Sequence, residues 1–333
     1  MITLKNLYNQ GVAGTQFQNL SAKNTNGSKN DVIFGGDKMR QTRKSIFLIV
    51  SLAAVSSLLL AAAGQHAQGK DRRKANKMVK EMLSASENQT QIQYLTKTYG
   101  SFSIERAYQI QAALAKGLSQ RLGSVVGYKV AYASKAAQKQ FGMDEPARGH
   151  FFKMQRLPSG SKLSVESFNE ITLETEVAFT LGKRIYKPVK DVAGLKPYVK
   201  WVHSAFDAGN FPYTAGQTKP TAQDMIAIGT GAHVFVLGPA VEPGKVDIDA
   251  VTLKLARNGK TIRESAATNV MGSPWNSLLW LANHVVKHGG ELEPGDVVLT
   301  GTAAPAYKAK GEAIKGYYEG DCGALGKVAL TIY

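Results

Sequence analysis

The chain has 333 residues, of which 44% are apolar and 20% charged. That length and composition suffice for a globular core in one large domain or two smaller ones. The single cysteine, Cys322, excludes an intramolecular disulfide and a zinc site built from cysteines. Part of the net charge of +16 belongs to residues 1–63, which hold seven basic and two acidic residues, so that residues 64–333 have a net charge of +11.

Basic residues are crowded between Lys70 and Lys80, which makes nucleic-acid binding the first hypothesis to test. The cluster adjoins an apolar segment and contains few aromatic side chains. Attraction to an anionic membrane surface, or a plain solvated helix, explains it better. We therefore predict a basic helical linker over residues 64–98 and no nucleic-acid partner.

The N-terminal residues divide into two segments. Residues 1–38 are polar and are predicted to be disordered, or to precede a true start at Met39. In residues 39–63, basic residues precede an apolar run that ends in small residues, which is the layout of a signal peptide cleaved after Ala63. An uncleaved membrane anchor is the alternative. Either case predicts an exported domain, periplasmic or anchored to the membrane with the domain outside, and no other contact with the membrane.

The first elements of the domain are a helix and a strand. Ser103 has the features of an N-cap for a helix with apolar residues at helical spacing. Residues 125–132 predict a strand that contains Lys129. A lysine within a strand is unusual unless it is paired or functional, although an edge-strand lysine that prevents aggregation would give the same pattern.

Glu174 and Glu176 lie two residues apart in a segment typical of a strand. Because side chains alternate between the faces of a strand, both carboxylates point to one side. Leu173, Val177 and Phe179 point to the other side and can fill a core. Two carboxylates on one face of a rigid strand begin a site for a hard cation. Taken alone, a solvated strand face is the simpler interpretation.

The remaining elements complete a chain with many strands and few helices. A helix is predicted over residues 196–208, a hairpin at Asn258-Gly259 and a second capped helix from Ser273. Further strands are predicted at residues 233–237, 297–300 and 328–332. The pattern indicates an α+β fold dominated by sheet. No glycine-rich phosphate loop of the Gly-x-Gly-x-x-Gly type occurs in the sequence.

Several motifs, taken in order, resemble one family. They lie in residues 103–111, 127–130 (Gly-Tyr-Lys-Val), 134–138, 174–179 (Glu-Thr-Glu-Val-Ala-Phe), 219–224, 235–238, 280–283 and 292–302. The ordered set resembles the fumarylacetoacetate hydrolase superfamily, nearest to its 2-keto-4-pentenoate hydratase and 4-oxalocrotonate decarboxylase branch. The resemblance covers about residues 95–333.

The resemblance implies a sheet-dominated mixed β-roll with flanking helices, which would form a catalytic domain over residues 99–333. It also implies a divalent metal, Mg²⁺ or Mn²⁺, held by Glu174, Glu176 and a third acid at Asp207. Lys129 matches the acid/base lysine of the branch. Three carboxylates and water suit octahedral Mg²⁺ or Mn²⁺ better than zinc.

The substrate implied by the resemblance is a small 2-oxo or 2-hydroxy-dienoate acid such as 2-keto-4-pentenoate. Lys219, Thr300, Gly301 and Thr302 match segments expected to bind it. The implied function is a metal-dependent lyase, either a hydratase or a decarboxylase. Because family members usually assemble, a homo-oligomer is also an expectation of the resemblance.

The chain departs from the branch near the position where water would be handled. The resemblance predicts an acid where Ala147 stands, followed here by Arg148, and a serine in the segment that contains Thr230 and Gly231. Thr230, Asp144 and Glu145 are candidate replacements. These departures keep two alternatives open: a hydrolase that cleaves a carbon–carbon bond in an acylpyruvate, and an exported protein that binds a metal and an oxo acid without turnover.

Overall fold

The computed structural model describes residues 69–214, 219–309 and 311–333. The described part of one compact unit extends from Lys77 to Tyr333, and residues 69–76 belong to a second unit. The leader and signal segment predicted over residues 1–63 lie outside the described residues. Among the residues that are described, no helix is long and apolar enough to cross a membrane.

Helices and strands alternate irregularly along the chain. The helices are α1 (residues 69–88), α2 (Leu95–Tyr99), α3 (Ile104–Leu122), α4 (Lys135–Gln140), α5 (Val192–Leu195), α6 (Ala222–Ala227) and α7 (Pro274–Lys287). The strands are β1 (Val125–Ala131), β2 (Ala147–Phe152), β3 (Arg156–Pro158), β4 (Ser161–Leu163), β5 (Ile171–Leu181), β6 (Val199–Asn210), β7 (Val234–Leu237), β8 (Thr252–Arg257), β9 (Lys260–Ala266), β10 (Val297–Leu299), β11 (Tyr307–Ala309), β12 (Gly316–Asp321) and β13 (Lys327–Ile332).

Two mixed sheets organise the unit. The larger sheet has the order β2-β1-β10-β5-β6-β7-β3, and β11 pairs with the N-terminal end of β5. The smaller sheet has the order β4-β13-β12-β8-β9. Parallel pairs join β1 to β10, β3 to β7 and β4 to β13, whereas the other neighbours are antiparallel. The predicted sheet-dominated α+β fold is therefore confirmed.

The longest strands, β5 and β6, are neighbours in the larger sheet and are buried along most of their length. One core cluster joins β5 to α7, where the rings of Phe179 and Trp275 lie 4.6 Å apart. A second cluster lies between the two sheets and includes Leu173, Phe206 and Tyr318. Burying each such side chain contributes about 1.5–3 kcal/mol. In both clusters the residues of β5 and β6 lie on one face of the sheet, so the core fixes the two strands from that face.

The prediction of a helix over residues 196–208 is wrong. Only a 3₁₀ turn at Lys196–Tyr198 is helical there, and Val199–Asn210 form β6. Apolar residues at Val202, Ala205 and Phe206 have helical spacing, but a strand buried on both faces need not alternate. Periodicity alone therefore could not separate a buried helix from this central strand.

Local signals for caps and turns are confirmed. The side chains of Ser103 and Ser273 accept backbone N–H bonds at the starts of α3 and α7. Asn258 and Gly259 have φ values of 49° and 81°, which is the geometry of a type I′ turn between β8 and β9.

Candidate metal and substrate site

Strand pairing brings the three acids together. In the antiparallel register of β5 and β6, Glu174 lies directly opposite Asp207. Directly opposed residues project on the same face of a sheet, and Glu176 shares that face because it lies two residues along β5. One carboxylate oxygen from each of the three residues lies within 4.8 Å of the others. Glu176 and Asp207 are completely buried, and Glu174 is partly exposed.

Lys129 joins this cluster from β1. The strand β1 lies between β2 and β10, so the edge-strand explanation of this lysine is wrong. Only 4% of Lys129 is exposed, and its ammonium contacts the carboxylate of Asp207. A buried lysine in contact with a buried acid is a paired residue, as its unusual position in a strand indicated.

Burial and mutual repulsion raise the pKa values of the glutamates. Burial raises the pKa of Glu174 to about 7, opposed by Lys129 and reinforced by Asp207. Burial, Asp207 and Glu174 raise the pKa of Glu176 well above its usual value. Burial alone would lower the pKa of Lys129, but the three surrounding acids outweigh it and raise this pKa. The lysine therefore stays protonated near two glutamates that resist ionisation.

The donor set fits a divalent cation. When all three carboxylates are ionised, the one ammonium leaves two negative charges uncompensated in a buried site. Oε1 of Glu176 and Oδ1 of Asp207 are buried and accept no hydrogen bond from the described residues. Buried acceptors without donors are costly and indicate a missing partner. A hard cation that prefers oxygen ligands would satisfy both oxygens and the charge.

Thr300 and Gly301 form hydrogen bonds with residues of β5. The Gly301 N–H donates to Oε2 of Glu176 (2.7 Å), and the buried Thr300 hydroxyl donates to the Val177 carbonyl (3.0 Å). Gly301 has a φ of 93°, and a Cβ there would lie 2.9 Å from that of Ala133. Glycine is thus required at Gly301, whose amide fixes the orientation of Glu176.

A cavity of about 980 Å³ opens onto this cluster. Of the residues predicted to act on substrate, Lys129, Lys219 and Thr302 line it, together with the metal-binding candidate Glu174. Thr300 and Gly301 are not among its lining residues. Aromatic side chains form much of the remaining wall: Tyr94, Tyr132, Phe141, Phe211 and Tyr213. The cavity therefore combines an apolar body with a few charged groups, as ligand sites usually do.

Two cavity residues escaped sequence analysis. Tyr132 follows β1 with a φ of 57°, and its hydroxyl is buried and unpartnered among the described residues. A left-handed aromatic residue carries backbone strain, which often marks a functional site. Lys308 belongs to the three-residue strand β11 and lines the cavity close to β5. Neither has a sequence signal, because one depends on an unusual backbone angle and the other on pairing with a distant strand.

The comparison with protein families agrees with this architecture. The profile of the fumarylacetoacetate (FAA) hydrolase C-terminal family matches residues 124–327, more than half of the chain. The chain belongs to this family. Its matched region contains every residue of the acid cluster, together with Lys129 and the lysines of the cavity.

Relatives of this FAA hydrolase family member include several hydratases. A 2-keto-4-pentenoate hydratase of Burkholderia vietnamiensis (strain G4 / LMG 22486) is 29% identical over 224 residues, covering 67% of this chain and 82% of the relative. A 2-oxo-hept-4-ene-1,7-dioate hydratase of Escherichia coli is 26% identical over 262 residues, covering 76% and 96%. The chain is thus a member of an enzyme family that contains hydratases.

A solved structure shows the same fold. The 4-oxalocrotonate decarboxylase from Pseudomonas putida G7, complexed with magnesium and adipate, superposes with a TM-score of 0.74 at 19% identity. The match covers 79% of this chain and 98% of the decarboxylase. The family's sheet architecture is therefore preserved over nearly the whole length of that enzyme.

The residues that depart from the family pattern occupy two sides of β2. Ala147 pairs with Ala131 and is buried among Ala107, Tyr108 and Ile226, with Tyr132 packed against the same cluster. Arg148 is buried on the other side, where its guanidinium donates to Nδ1 of His284 (3.2 Å). Arg148 therefore does not bring its charge into the acid cluster.

The candidate replacements for the expected acid and serine differ in position. Thr230 lines the cavity with a φ of 56°, and its hydroxyl donates to the Gly229 carbonyl (2.7 Å). Asp144 and Glu145 are exposed and do not line the cavity, and Glu145 accepts a hydrogen bond from the Trp280 ring (3.1 Å). Of these residues, only Thr230 can reach a molecule in the cavity.

Proposed function

We propose that this chain is a divalent-metal-dependent lyase, a hydratase or decarboxylase, acting on a small 2-oxo or 2-hydroxy-dienoate acid such as 2-keto-4-pentenoate. The observation that carries the proposal is the convergence of Glu174, Glu176 and Asp207 with Lys129 on one face of the larger sheet. The hydratase relatives support it, and the solved decarboxylase shares the fold.

Glu174, Glu176 and Asp207 would hold the ion, with Mg²⁺ or Mn²⁺ best suited to a site built only of carboxylates and water. When bound, such an ion supplies a Lewis acid for the oxygens of an oxo acid. Gly301 keeps Glu176 in position through its amide. Asp207 and Glu174 also hold Lys129 in its protonated form beside the cavity.

Lys129 is placed to move a proton to or from the substrate. It lines the cavity while its ammonium contacts Asp207, so a bound acid would meet a buried proton donor. The aromatic wall limits the water that reaches the same space, which strengthens charge interactions there. Tautomerisation of a dienoate requires proton transfer of this kind at a fixed position.

Within the lyase class, decarboxylation demands fewer groups than hydration. Glu170 and Glu174 are the carboxylates among the described lining residues, and Ala147 stands where an acid is expected. Hydration needs a group that orients or activates water, whereas loss of CO₂ needs the electron-withdrawing ion and a proton donor. Because Ala147 replaces the expected acid, the second candidate is a protein that binds a metal and an oxo acid without turnover.

Product analysis tests these candidates directly. The Mn²⁺-loaded chain would be assayed with 2-hydroxypenta-2,4-dienoate, 4-oxalocrotonate and an acylpyruvate, following dienoate absorbance and released CO₂. A lyase consumes one of the first two acids and leaves the acylpyruvate intact. Cleavage of the acylpyruvate alone identifies the hydrolase, and calorimetric binding of oxalate without any product identifies the binding protein.

A matched pair of variants tests the metal site. Glu176→Gln removes one ionised ligand and is expected to weaken Mn²⁺ binding by at least about tenfold. Glu166→Gln changes an exposed residue outside the cluster and serves as the control. Calorimetric titration with Mn²⁺ measures both affinities, and an unchanged affinity in Glu176→Gln would remove the basis of the proposed function.

Export through residues 39–63 is a separate proposal that rests on the sequence pattern. Export is measured by fractionating cells that express the tagged chain with or without residues 39–63 and locating the chain in the fractions. Recovery of both forms with the cytoplasmic proteins would contradict export.

A further inference from the structure

Aromatic rings from separate segments of the chain meet in the wall of the large cavity. The segment before Tyr94 forms a β-bridge to Tyr213, and the rings of these two tyrosines lie edge to face with centroids 4.8 Å apart. Tyr132 comes directly after β1 and Phe141 directly after α4, and their ring centroids lie 4.6 Å apart. All four residues line the cavity, as does Phe211. Rings packed in pairs give the cavity a fixed aromatic surface.

The hydroxyls of two of these tyrosines do not face the cavity. The Tyr213 hydroxyl donates to the Asp224 carbonyl (2.7 Å), a buried hydrogen bond within the protein. The Tyr132 hydroxyl oxygen is buried, so this residue does not border the cavity with that oxygen. A ligand group beside these side chains therefore meets carbon atoms, and it gains most when it is itself apolar.

The charged side chains of the cavity offset one another. Burial raises the pKa of Glu174, and Lys308 is one of two lysines whose charge opposes that shift, so Lys308 attracts this carboxylate. Away from the acid cluster, the other charged residues in the described lining are Lys219 and Glu170, one of each sign. This balance leaves no surplus charge for an ionic group at the far end of a ligand.

The cavity is also larger than a small acid requires. Its volume of about 980 Å³ lies at the upper end of the range of about 300–1,000 Å³ that is usual for sites enclosing drug-sized ligands. An acid the size of 2-keto-4-pentenoate, bound at the acid cluster, would leave most of the aromatic wall uncovered. A ligand with a ring would supply the missing contacts to that wall.

We infer that the substrate is a 2-oxo or 2-hydroxy-dienoate acid that carries an uncharged aromatic ring at the end distal to its carboxylate. This inference rests on the proposed function and adds the chemical class of the tail. The oxo-acid end lies at the acid cluster, and the ring packs against the side chains of Tyr132 and Phe141 in the edge or offset contacts that aromatic rings prefer.

The inference is tested with two acids that differ by one phenyl ring. The Mn²⁺-loaded chain is titrated calorimetrically with 2-oxo-4-phenylbutanoate and with 2-oxobutanoate, which share the 2-oxo acid end. The wild-type chain is expected to bind the phenyl acid about 10- to 100-fold more tightly, because the ring is buried on binding. Phe141→Ala should reduce this ratio by about fivefold, and Phe141→Leu should reduce it less.

Phe168→Ala is the matched control. Phe168 is also partly buried and also packs on an aromatic ring, that of His233 at 5.0 Å, but it does not line the cavity. It should leave the ratio of the two affinities unchanged.

Three outcomes overturn the inference: equal binding of the two acids by the wild-type chain, equal ratios in Phe141→Ala and Phe168→Ala, or tighter binding of 2-oxoadipate than of the phenyl acid. The last result would show that the far end of the ligand is charged. Failure of the wild-type chain to bind Mn²⁺ or any of these acids instead overturns the proposed function, and this inference with it.

Discussion

Asp207 lies directly opposite Glu174 in the antiparallel pair formed by β5 and β6. The pairing places an acid from each of two central strands on one face, and the ammonium of Lys129 contacts Asp207 from β1. A site of this kind is held by backbone hydrogen bonds on both sides, so its geometry is fixed before any ligand arrives.

Replacing Lys129 should separate metal binding from chemistry. Lys129→Met leaves the three buried acids without their ammonium, which should destabilise the metal-free protein by about 3 kcal/mol. Mn²⁺ should still bind and restore much of the loss, because the ion supplies the missing charge. Turnover should be abolished. Thermal unfolding in EDTA and in Mn²⁺ measures the first two effects, and equal stability of variant and wild type in EDTA would contradict the ion pair.

Stability of the metal-free protein should depend on the ionisation of Glu174. Its pKa is raised from 4.5 to about 7 by burial. A raised acid pKa favours the folded state below pH 4.5, and this contribution is lost as the pH rises to about 7. Mn²⁺ should reverse the trend, since protons compete with the ion in the same range.

Urea unfolding at pH 5 and pH 8, in EDTA and in Mn²⁺, measures this pH dependence. The variant Glu174→Gln is the control and should be less sensitive to pH in EDTA. An identical pH dependence in the variant and the wild type would show that Glu174 does not titrate in this range.

Two tyrosine substitutions should have opposite effects on stability. The Tyr132 hydroxyl is buried without a partner, so Tyr132→Phe should stabilise the ligand-free protein by about 1 kcal/mol. The Tyr213 hydroxyl donates to the Asp224 carbonyl (2.7 Å), and Tyr213→Phe should cost about 1 kcal/mol. Chemical denaturation measures both, and a loss of stability in Tyr132→Phe would reveal a partner for that hydroxyl.

Two glycines with nearly the same φ angle allow a test of whether the Gly301 amide orients Glu176. Gly301 and Gly295 have φ values of 93° and 94°, but only Gly301 has neighbours within 4 Å of an added Cβ. Gly295→Ala should therefore show the cost of the backbone angle alone, about 1–2 kcal/mol. Gly301→Ala should cost about 1–3 kcal/mol more through overpacking.

The same pair of variants should differ in metal affinity. Displacing the Gly301 amide disturbs Glu176, so Gly301→Ala should weaken Mn²⁺ binding by about tenfold or more. Gly295→Ala should leave it unchanged. Calorimetry measures both affinities, and equal values would show that the amide does not orient the ligand.

The sequence predicted the strand acids well because their signal is local. Alternation along residues 173–181 places Glu174 and Glu176 on one side, and the structure keeps them there. Asp207 was expected from the family resemblance, and residues 196–208 around it were predicted to form a helix. Its place on β6 could not be predicted, because a strand buried on both faces lacks the alternating pattern.

Non-local pairing explains the other omissions. Lys308 belongs to a strand of three residues that becomes recognisable only when it pairs with β5. Tyr132 turns into the cavity through a left-handed angle that aromatic residues rarely adopt. The side of β2 on which Arg148 projects depends on its register with β1, which a single sequence does not reveal.

The acids lie on the long central strands, whereas Lys308 and Lys219 lie on a short strand and a connecting segment at the mouth of the cavity. Substitutions at the mouth therefore disturb few core contacts, while substitutions on β5 or β6 affect the whole sheet. Selection can thus exchange one substrate for another at the mouth while leaving the reactive centre intact, which makes this scaffold readily adaptable during evolution.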